Sequence, residues 1–345
     1  LHLSRGLGDV YKRQFINSDA FDISSPRLIY QGSDSELLNT ITELKSGNIS
    51  GIITAGVNPG YTLPNAEEFS ELINKLEFSL CFSMKEDETA NSCKYVAATP
   101  HYLESWGDYE FKKGHYYLSQ PTIKPLFDTN QFQDVILTLT GSNNNFYDEI
   151  KNNWRSNILK GKTWGKSLQD GFYYSYENNA PRRIKTSVNI VNLPIQNTDE
   201  LDLILYTKVG LGDGQQSSNP WLQEFPDPIT RVTWDNYLTV SYSDAERLGL
   251  KNYNVSNGAL NGSYVTVSND KNSVKVPVIV QPGQTPGTVG LALGYGKTQA
   301  MSEEMNIGVN AYKFYNNFKK THKVNISKVK GDHEFACIQL HNTMM

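Results

Sequence analysis

Between Ser50 and Ala98 the chain alternates short apolar runs with a helical pattern, and this alternation constrains the fold more than any other stretch. Ser50 to Ala55 is an apolar run of the kind that forms a buried parallel strand. It stops at Gly56-Val57-Asn58-Pro59-Gly60, a turn cluster through which no strand continues. Asn65 is placed to cap a helix: Glu67 and Glu68 put acid in the first turn, and Phe69, Leu72, Ile73 and Leu76 follow at helical spacing. Phe78 to Met84 reads as the next strand, Lys85 to Ser92 as a short polar helix or turn, and Tyr95 to Ala98 as a third strand. Strand, helix, strand with short joins is a βαβ pattern, which predicts a parallel sheet with right-handed crossovers.

From His101 to Phe127 periodicity disappears and aromatic residues dominate. Helical signals return over Gln131–Leu139 and Phe146–Leu159, whereas 160–200 is polar and reads as a connection leaving the sheet. The region after residue 200 is β-rich. Leu201–Tyr206, Tyr237–Ser241, Tyr264–Val267, Val274–Val280 and Val289–Leu293 read as strands, the third and fourth joined by the turn Asn269–Asn272. Ser243 to Gly249 reads as one short helix with Ser243 as N-cap and Gly249 as C-cap. Short strands, one capped helical turn and long Gly/Pro loops such as Gln281–Gly287 predict a small closed barrel. The expected organisation is a leader over 1–20 that is non-native or disordered, an α/β domain with a helical extension over 21–200, a barrel over 201–330, and the start of a further segment over 331–345. The chain is read as a fragment.

A formal net charge of -4 argues against a nucleic-acid binder, which needs a basic face. No apolar run approaches the roughly 18 residues of a membrane span, so membrane association is expected only through a partner. Cys81, Cys93 and Cys337 lack the two-residue spacing of a zinc knuckle or ferredoxin run. Cys81 and Cys93 are read as small core residues.

Five elements in order then match something specific: Asp244–Leu250, Gly262–Val267, Val276-Pro277-Val278, Pro286–Val289 and Leu293–Gly296. Together they resemble the molybdopterin-dinucleotide-binding domain of the dimethyl-sulfoxide-reductase superfamily, the molybdopterin oxidoreductases. The resemblance implies a double-psi β-barrel. Gly56–Pro59 with Leu63-Pro64-Asn65, Glu88-Thr89-Ala90 and Leu103–Asp108 resembles the nucleotide-fold domain preceding that barrel. His101–Asp108, Asn219–Pro228 and Thr233–Tyr237 resemble, more narrowly, the large iron-sulfur subunit of alternative complex III, a bacterial quinol-oxidising respiratory complex. His333–Cys337 with Gln339-Leu340-His341 resembles the hinge before its ferredoxin-like part.

That resemblance implies a scaffolding role, with other subunits of a membrane-bound respiratory complex as partners, on the periplasmic side of the inner membrane. No nucleic acid and no direct membrane insertion are expected. It implies no cofactor in this fragment, with iron-sulfur clusters in the missing parts of the protein. A molybdopterin guanine dinucleotide is the family alternative, in which the fragment belongs to a catalytic oxidoreductase. A free-standing ligand- or partner-binding barrel is a third reading. No catalytic residue and no metal ligand is identified.

The candidate cofactor residues are Gly56, Val57, Asn58, Pro59, Gly294, Tyr295 and Gly296, pterin-binding or vestigial by resemblance. The first four sit at the carboxyl end of a strand, where open α/β sheets bind ligands, yet an ordinary turn explains them as well. Departures from the family pattern point to an empty or vestigial site. Lys94 stands where cofactor-bearing members commonly have Asp, and Phe111–His115 keeps only the glycine of their Asn-x-Glu-Gly-Arg run. His333, Cys337 and His341 share one helical face at spacing four, but three ligands fall short of a structural metal site, and they are set aside. Trp106, Trp221 and Trp234 are read as packing anchors. Asp227, Asp235 and Glu104 show no acid/base spacing, and Glu86-Asp87-Glu88 reads as a solvated helix start.

Overall fold

The computed structural model describes residues 26–29, 32–175, 200–256, 259–299, 302–315 and 321–338. The leader and His341 lie outside them. In chain order the elements are α1 (Asp34–Lys45), β1 (Gly51–Ala55), α2 (Ala66–Lys75), β2 (Phe78–Ser83), α3 (Glu88–Ser92), β3 (Tyr95–Ala98), β4 (Gly107–Lys112), β5 (His115–Ser119), α4 (Phe132–Leu139), α5 (Phe146–Asn153), α6 (Trp164–Asp170) and β6 (Phe172–Tyr174). There follow β7 (Leu201–Thr207), β8 (Leu238–Val240), α7 (Tyr242–Leu248), β9 (Asn252–Asn254), β10 (Leu260–Ser268), β11 (Ser273–Val280), β12 (Thr288–Leu293) and β13 (Thr321–Phe335). Two compact units result. One draws on Leu1–Val57, Leu72–Glu86 and Cys93–Leu193; the other on Asn58–Glu71, Asp87–Ser92 and Pro194–Met345.

The first unit holds the expected parallel sheet, in the order β1-β2-β3. Its register puts Ile53, Leu80 and Tyr95 on one face and Thr54, Cys81 and Val96 on the other. Cys81 is fully buried, as a small strand residue should be, whereas Cys93 is only half-buried.

A second sheet, β4-β5-β6, is antiparallel: β4 and β5 occupy the stretch without periodicity, and β6 returns to pair with β5 from within the 160–200 stretch read as a connection. Its strands alternate, but both faces carry aromatic side chains, so hydropathy alone hides the period. Tyr116, Leu118 and Tyr173 pack inward on a cluster of Ile150, Trp154, Ile158 and Trp164. The helix expected over Phe146–Leu159 holds α-geometry only to Asn153, then widens to a π-helix over Trp154–Ile158. Trp154 is wholly buried and donates its indole N–H to Asp108 at 3.1 Å, which satisfies its one polar atom.

In the second unit the strands pair in the order β11-β8-β12-β7-β13-β10, and β10 pairs back onto β11, so the sheet closes on itself. The β7·β12 and β8·β11 pairs are parallel and the other four pairs of the ring antiparallel. Closure removes edges and gives every inward side chain neighbours on all sides. Leu203, Leu238, Val240, Val265, Val276, Val289, Leu291 and Val324 are all fully buried in one cluster. At roughly 25 cal/mol per Å², each such side chain contributes about 1.5–3 kcal/mol relative to exposure.

Three readings are corrected. The N-cap of α7 is Ser241, not Ser243: the Ser241 hydroxyl accepts from the Asp244 amide at 3.1 Å. His333 and Cys337 are not on a helix, because β13 runs to Phe335 and Cys337 bridges Val232 in antiparallel fashion. The strand wins because Leu260–Ser263 of β10 offers a continuous ladder to Asp332–Phe335. Trp221 anchors nothing, being 83% exposed, whereas Trp106 does pack, its ring 4.6 Å from that of Tyr147.

Candidate functional site

The turn after β1 contains the first four candidate residues. Gly56 has φ +64°, and a Cβ there would meet nothing within 4 Å. Only backbone conformation calls for glycine at this point. Val57 is exposed. These two residues belong with the first unit, whereas Asn58 and Pro59 belong with the second.

Both ends of the Asn58 side-chain amide are hydrogen-bonded. Its Nδ2 donates to Glu88 Oε2 at 2.7 Å, and its Oδ1 accepts from the Thr89 amide at 3.1 Å and the Thr89 hydroxyl at 2.7 Å. Glu88 Oε1 accepts in turn from the amides of Thr298 at 2.9 Å and Gln299 at 3.3 Å. Burial alone would push the Glu88 pKa up. The bonds from Asn58 and the backbone, with Lys297 nearby, outweigh burial and hold the carboxyl below its ordinary range. The solvated reading of Glu86-Asp87-Glu88 therefore fails for its last two members. Asp87 is buried and accepts from the Ala90 amide at 2.9 Å, and Glu88 ties segments far apart in sequence.

Pro59 opens a helical turn, Pro59–Thr62, that presents Tyr61 to the second candidate loop. The Tyr61 hydroxyl donates to the carbonyl of Tyr295 at 2.7 Å, and Asn310 Nδ2 donates back to the Tyr61 carbonyl at 3.1 Å. Burial pushes the Tyr61 pKa well above the ordinary phenol value, so it stays a neutral donor. The Lys297 ammonium lies 4.9 Å from its ring centroid. The seven candidates thus lie in two loops, and five of them, Asn58-Pro59 and Gly294-Tyr295-Gly296, are joined through Tyr61.

Gly294 and Gly296 are glycine for a reason found inside the protein. A Cβ on Gly294 would lie 2.9 Å from the Gly212 carbonyl oxygen, and one on Gly296 only 2.2 Å from the Asn310 nitrogen. Gly296 also has φ +67° and donates its amide to Ile307 at 2.8 Å. The Tyr295 ring is buried beside Lys208, whose ammonium lies 5.2 Å from it and 4.1 Å from the Tyr237 ring. Lys208 donates to the Asp235 carbonyl at 3.0 Å, and burial lowers its pKa to about 8. Sequence reasoning missed Tyr61, Lys208 and Lys297. Nothing local marks them, because each is defined by contacts across the barrel unit.

With this geometry in place, comparison with known proteins becomes informative. No protein-family profile matches the chain. It is 24% identical over 259 residues to the menaquinone reductase, molybdopterin-binding-like subunit, of Nitratidesulfovibrio vulgaris, covering 70% of this chain and 35% of the relative. Acetylene hydratase from Pelobacter acetylenicus superposes with a TM-score of 0.58 over 84% of this chain and 46% of that one, at 13% identity. The chain is thus similar in sequence to a molybdopterin-binding-like subunit and shares the fold of acetylene hydratase. It spans about a third of the curated relative's length and under half of the solved structure's.

The chemistry of the candidate residues bears directly on whether a pterin dinucleotide fits them. A diphosphate needs free N–H donors and positive charge. Pro59 has no N–H, the Asn58 amide gives one N–H to Glu88 and its oxygen to Thr89, and the Glu88 carboxylate beside it opposes an anion. The Gly296 cradle is filled by the backbone at Asn310. As arranged here, these residues do not fit the group. The departure at Phe111–His115 also has a structural meaning. Lys113-Gly114 is the turn joining β4 to β5, and the Gly114 amide donates to Glu110 at 2.7 Å. The Lys94 ammonium reaches the Glu77 carbonyl at 3.4 Å.

Among the described residues no group of three or more His, Cys, Asp and Glu could hold a metal ion. His333 is instead the middle of a hydrogen-bonded chain, with Nε2 against Asp235 Oδ2 at 2.7 Å and Nδ1 against the Tyr264 hydroxyl at 2.8 Å. Thr233 adds two bonds to the Ala336 carbonyl, so the 227–237 loop is fastened to the end of β13.

Proposed function

We propose that this chain is a structural, cofactor-free part of a molybdopterin-oxidoreductase-like subunit within a quinol-oxidising respiratory complex. One observation carries the reading: in the loops that the resemblance would set beside a pterin, Gly296 is packed against Asn310, and Asn58 is committed to Glu88 and Thr89. The relative from Nitratidesulfovibrio vulgaris is named as one subunit of a menaquinone reductase and as molybdopterin-binding-like, which supports a multi-subunit setting and a quinone/quinol couple, though its named reaction runs toward the quinol. The closed six-strand ring with two parallel pairs supports a double-psi barrel. In this proposal the partners are other subunits of a complex of the alternative complex III type. Iron-sulfur clusters reside in parts of the protein beyond this chain, and the complex faces the periplasm.

The test is metal and pterin analysis of the full-length protein purified under gentle conditions. Less than a tenth of an equivalent of molybdenum, tungsten and pterin is expected. Stoichiometric metal with a released pterin dinucleotide overturns the proposal and makes the protein a catalytic oxidoreductase.

A further inference from the structure

The second sheet of the first unit has an outer face that the proposed role does not use. The register of β4, β5 and β6 pairs Tyr109 with Tyr117, Tyr117 with Phe172 and His115 with Tyr174. Side chains of paired residues lie on one face; Phe111 sits where the β4 register shifts between Glu110 and Lys112, and its ring contacts put it on that same face. The ring contacts agree. Tyr109 and Phe111 stack at 5.3 Å, Phe111 lies 6.0 Å from Tyr117, Tyr117 lies 6.1 Å from Tyr174, and Tyr174 lies 4.8 Å from Phe172 and 4.3 Å from His115. Six rings form one continuous array. The opposite face of the same strands is buried on the Trp154 cluster, so the array is not needed for that core.

Three of these rings face solvent, and His115, Tyr117 and Tyr174 are half-buried between them. Phe111 is 51% exposed, Tyr109 43% and Phe172 39%. With aromatic side chains of roughly 150–250 Å² each, six rings leave on the order of 400–500 Å² of contiguous aromatic surface. That is the size of the largest apolar patch on a typical soluble monomer, which is often functional. It is about half of what one side of a stable interface buries, so flanking groups must supply the rest.

The flank is basic. At the hairpin end, Arg27 is bridged to Lys112, and the Lys113 amide bonds the Pro26 carbonyl at 3.0 Å. Arg27 and Lys113 are exposed, and the acid on this stretch, Glu110, is turned to the Gly114 amide.

The geometry points to this face as the docking surface for a partner protein subunit that presents apolar side chains ringed by carboxylates. Tyrosine, phenylalanine and arginine are the residue types that dominate such contacts, because a rigid ring buries a large area at little entropic cost. A basic rim selects an acidic counterpart and speeds encounter. The inference rests on the proposal that the protein is one subunit of a complex.

Hydroxyl-radical footprinting of the full-length protein tests it, comparing the complex isolated from native membranes with the same protein expressed alone. Oxidation of Tyr109, Phe111 and Phe172 should fall at least fivefold in the complex. Full-length variants carrying Phe111→Asp and Phe172→Asp should keep the wild-type circular dichroism and lose co-assembly on native gels about tenfold. Lys112→Glu with Lys113→Glu should weaken assembly a few-fold, with the loss shrinking at high salt. Equal oxidation in both preparations overturns the inference while leaving the subunit reading intact. A protein that leaves native membranes with no partner removes both. Binding of the lone protein to phosphatidylglycerol vesicles or to a thymidine oligonucleotide, abolished by Phe111→Asp, overturns it in favour of a lipid or nucleic-acid surface.

Discussion

The barrel unit and the α/β unit solve the same problem in opposite ways. In the barrel unit, β7, β8 and β10 to β13 pair in a closed ring, and the inward valines and leucines have no exposed surface at all. In the α/β unit, two three-stranded sheets stay open, and each leaves apolar side chains in solvent: Ile53, Phe78 and Tyr95 on one, Tyr109, Phe111 and Phe172 on the other. A parallel sheet is ordinarily covered on both faces. The contrast teaches that ring closure buries an apolar face from within, whereas an open three-stranded sheet leaves part of its apolar face in solvent.

The sharpest way to break the comparison is a pair of matched glycine substitutions, since Gly56 and Gly296 share a positive φ of +64° and +67° but differ in surroundings. Gly296→Ala adds a backbone overlap to the conformational strain and should cost roughly 3–5 kcal/mol in urea denaturation. Gly56→Ala meets open space and should cost about 1–2 kcal/mol. Equal costs would mean that the barrel loop yields, and that its cradle can open. Next in size, Leu291→Ala removes a fully buried barrel residue and should cost about 2–5 kcal/mol, against under about 1 kcal/mol for Ile53→Ala on the open sheet. A large loss at Ile53 would show that the open face is already covered.

A pH series sharpens the comparison through Lys208, whose pKa burial lowers to about 8. Above that value the folded chain has released a proton that the unfolded chain still holds, so this group makes stability rise with pH. From about pH 8 to about pH 10 the stability of wild type relative to Lys208→Met should climb by on the order of 2 kcal/mol. A flat difference would show that the contacts with Tyr237 and the Asp235 carbonyl outweigh desolvation. The smallest effect belongs to Trp221→Ala, which should stay within about 0.5 kcal/mol by thermal melting because the side chain is almost wholly exposed.

Some of this was legible along the chain. The βαβ stretch and most barrel strands announce themselves because Ile52, Leu80, Val265 and Val276 follow the period of a strand with one or both faces buried. The β4-β5-β6 sheet did not, because Tyr116 and Tyr117 point to opposite faces yet look identical to a hydropathy scale. The end of β13 was mistaken for a helix because His333 and Cys337 repeat at a helical spacing, while the ladder that makes it a strand lies on β10, over sixty residues earlier in the chain.

Local order settled β1 to β3, the helices between them and most barrel strands, since those choices depend on neighbours a few residues away, whereas the end of β13 took its conformation from the distant ladder on β10. Ring closure and the commitment of Asn58 to Glu88 were decided only in three dimensions. So was the meeting of Tyr61 with Tyr295, 234 residues apart. The physical reason is that a glycine, an amide or a tyrosine hydroxyl carries no mark of its eventual partner. Whether it cradles a ligand or locks the chain to itself depends on what the folded backbone brings within hydrogen-bond distance.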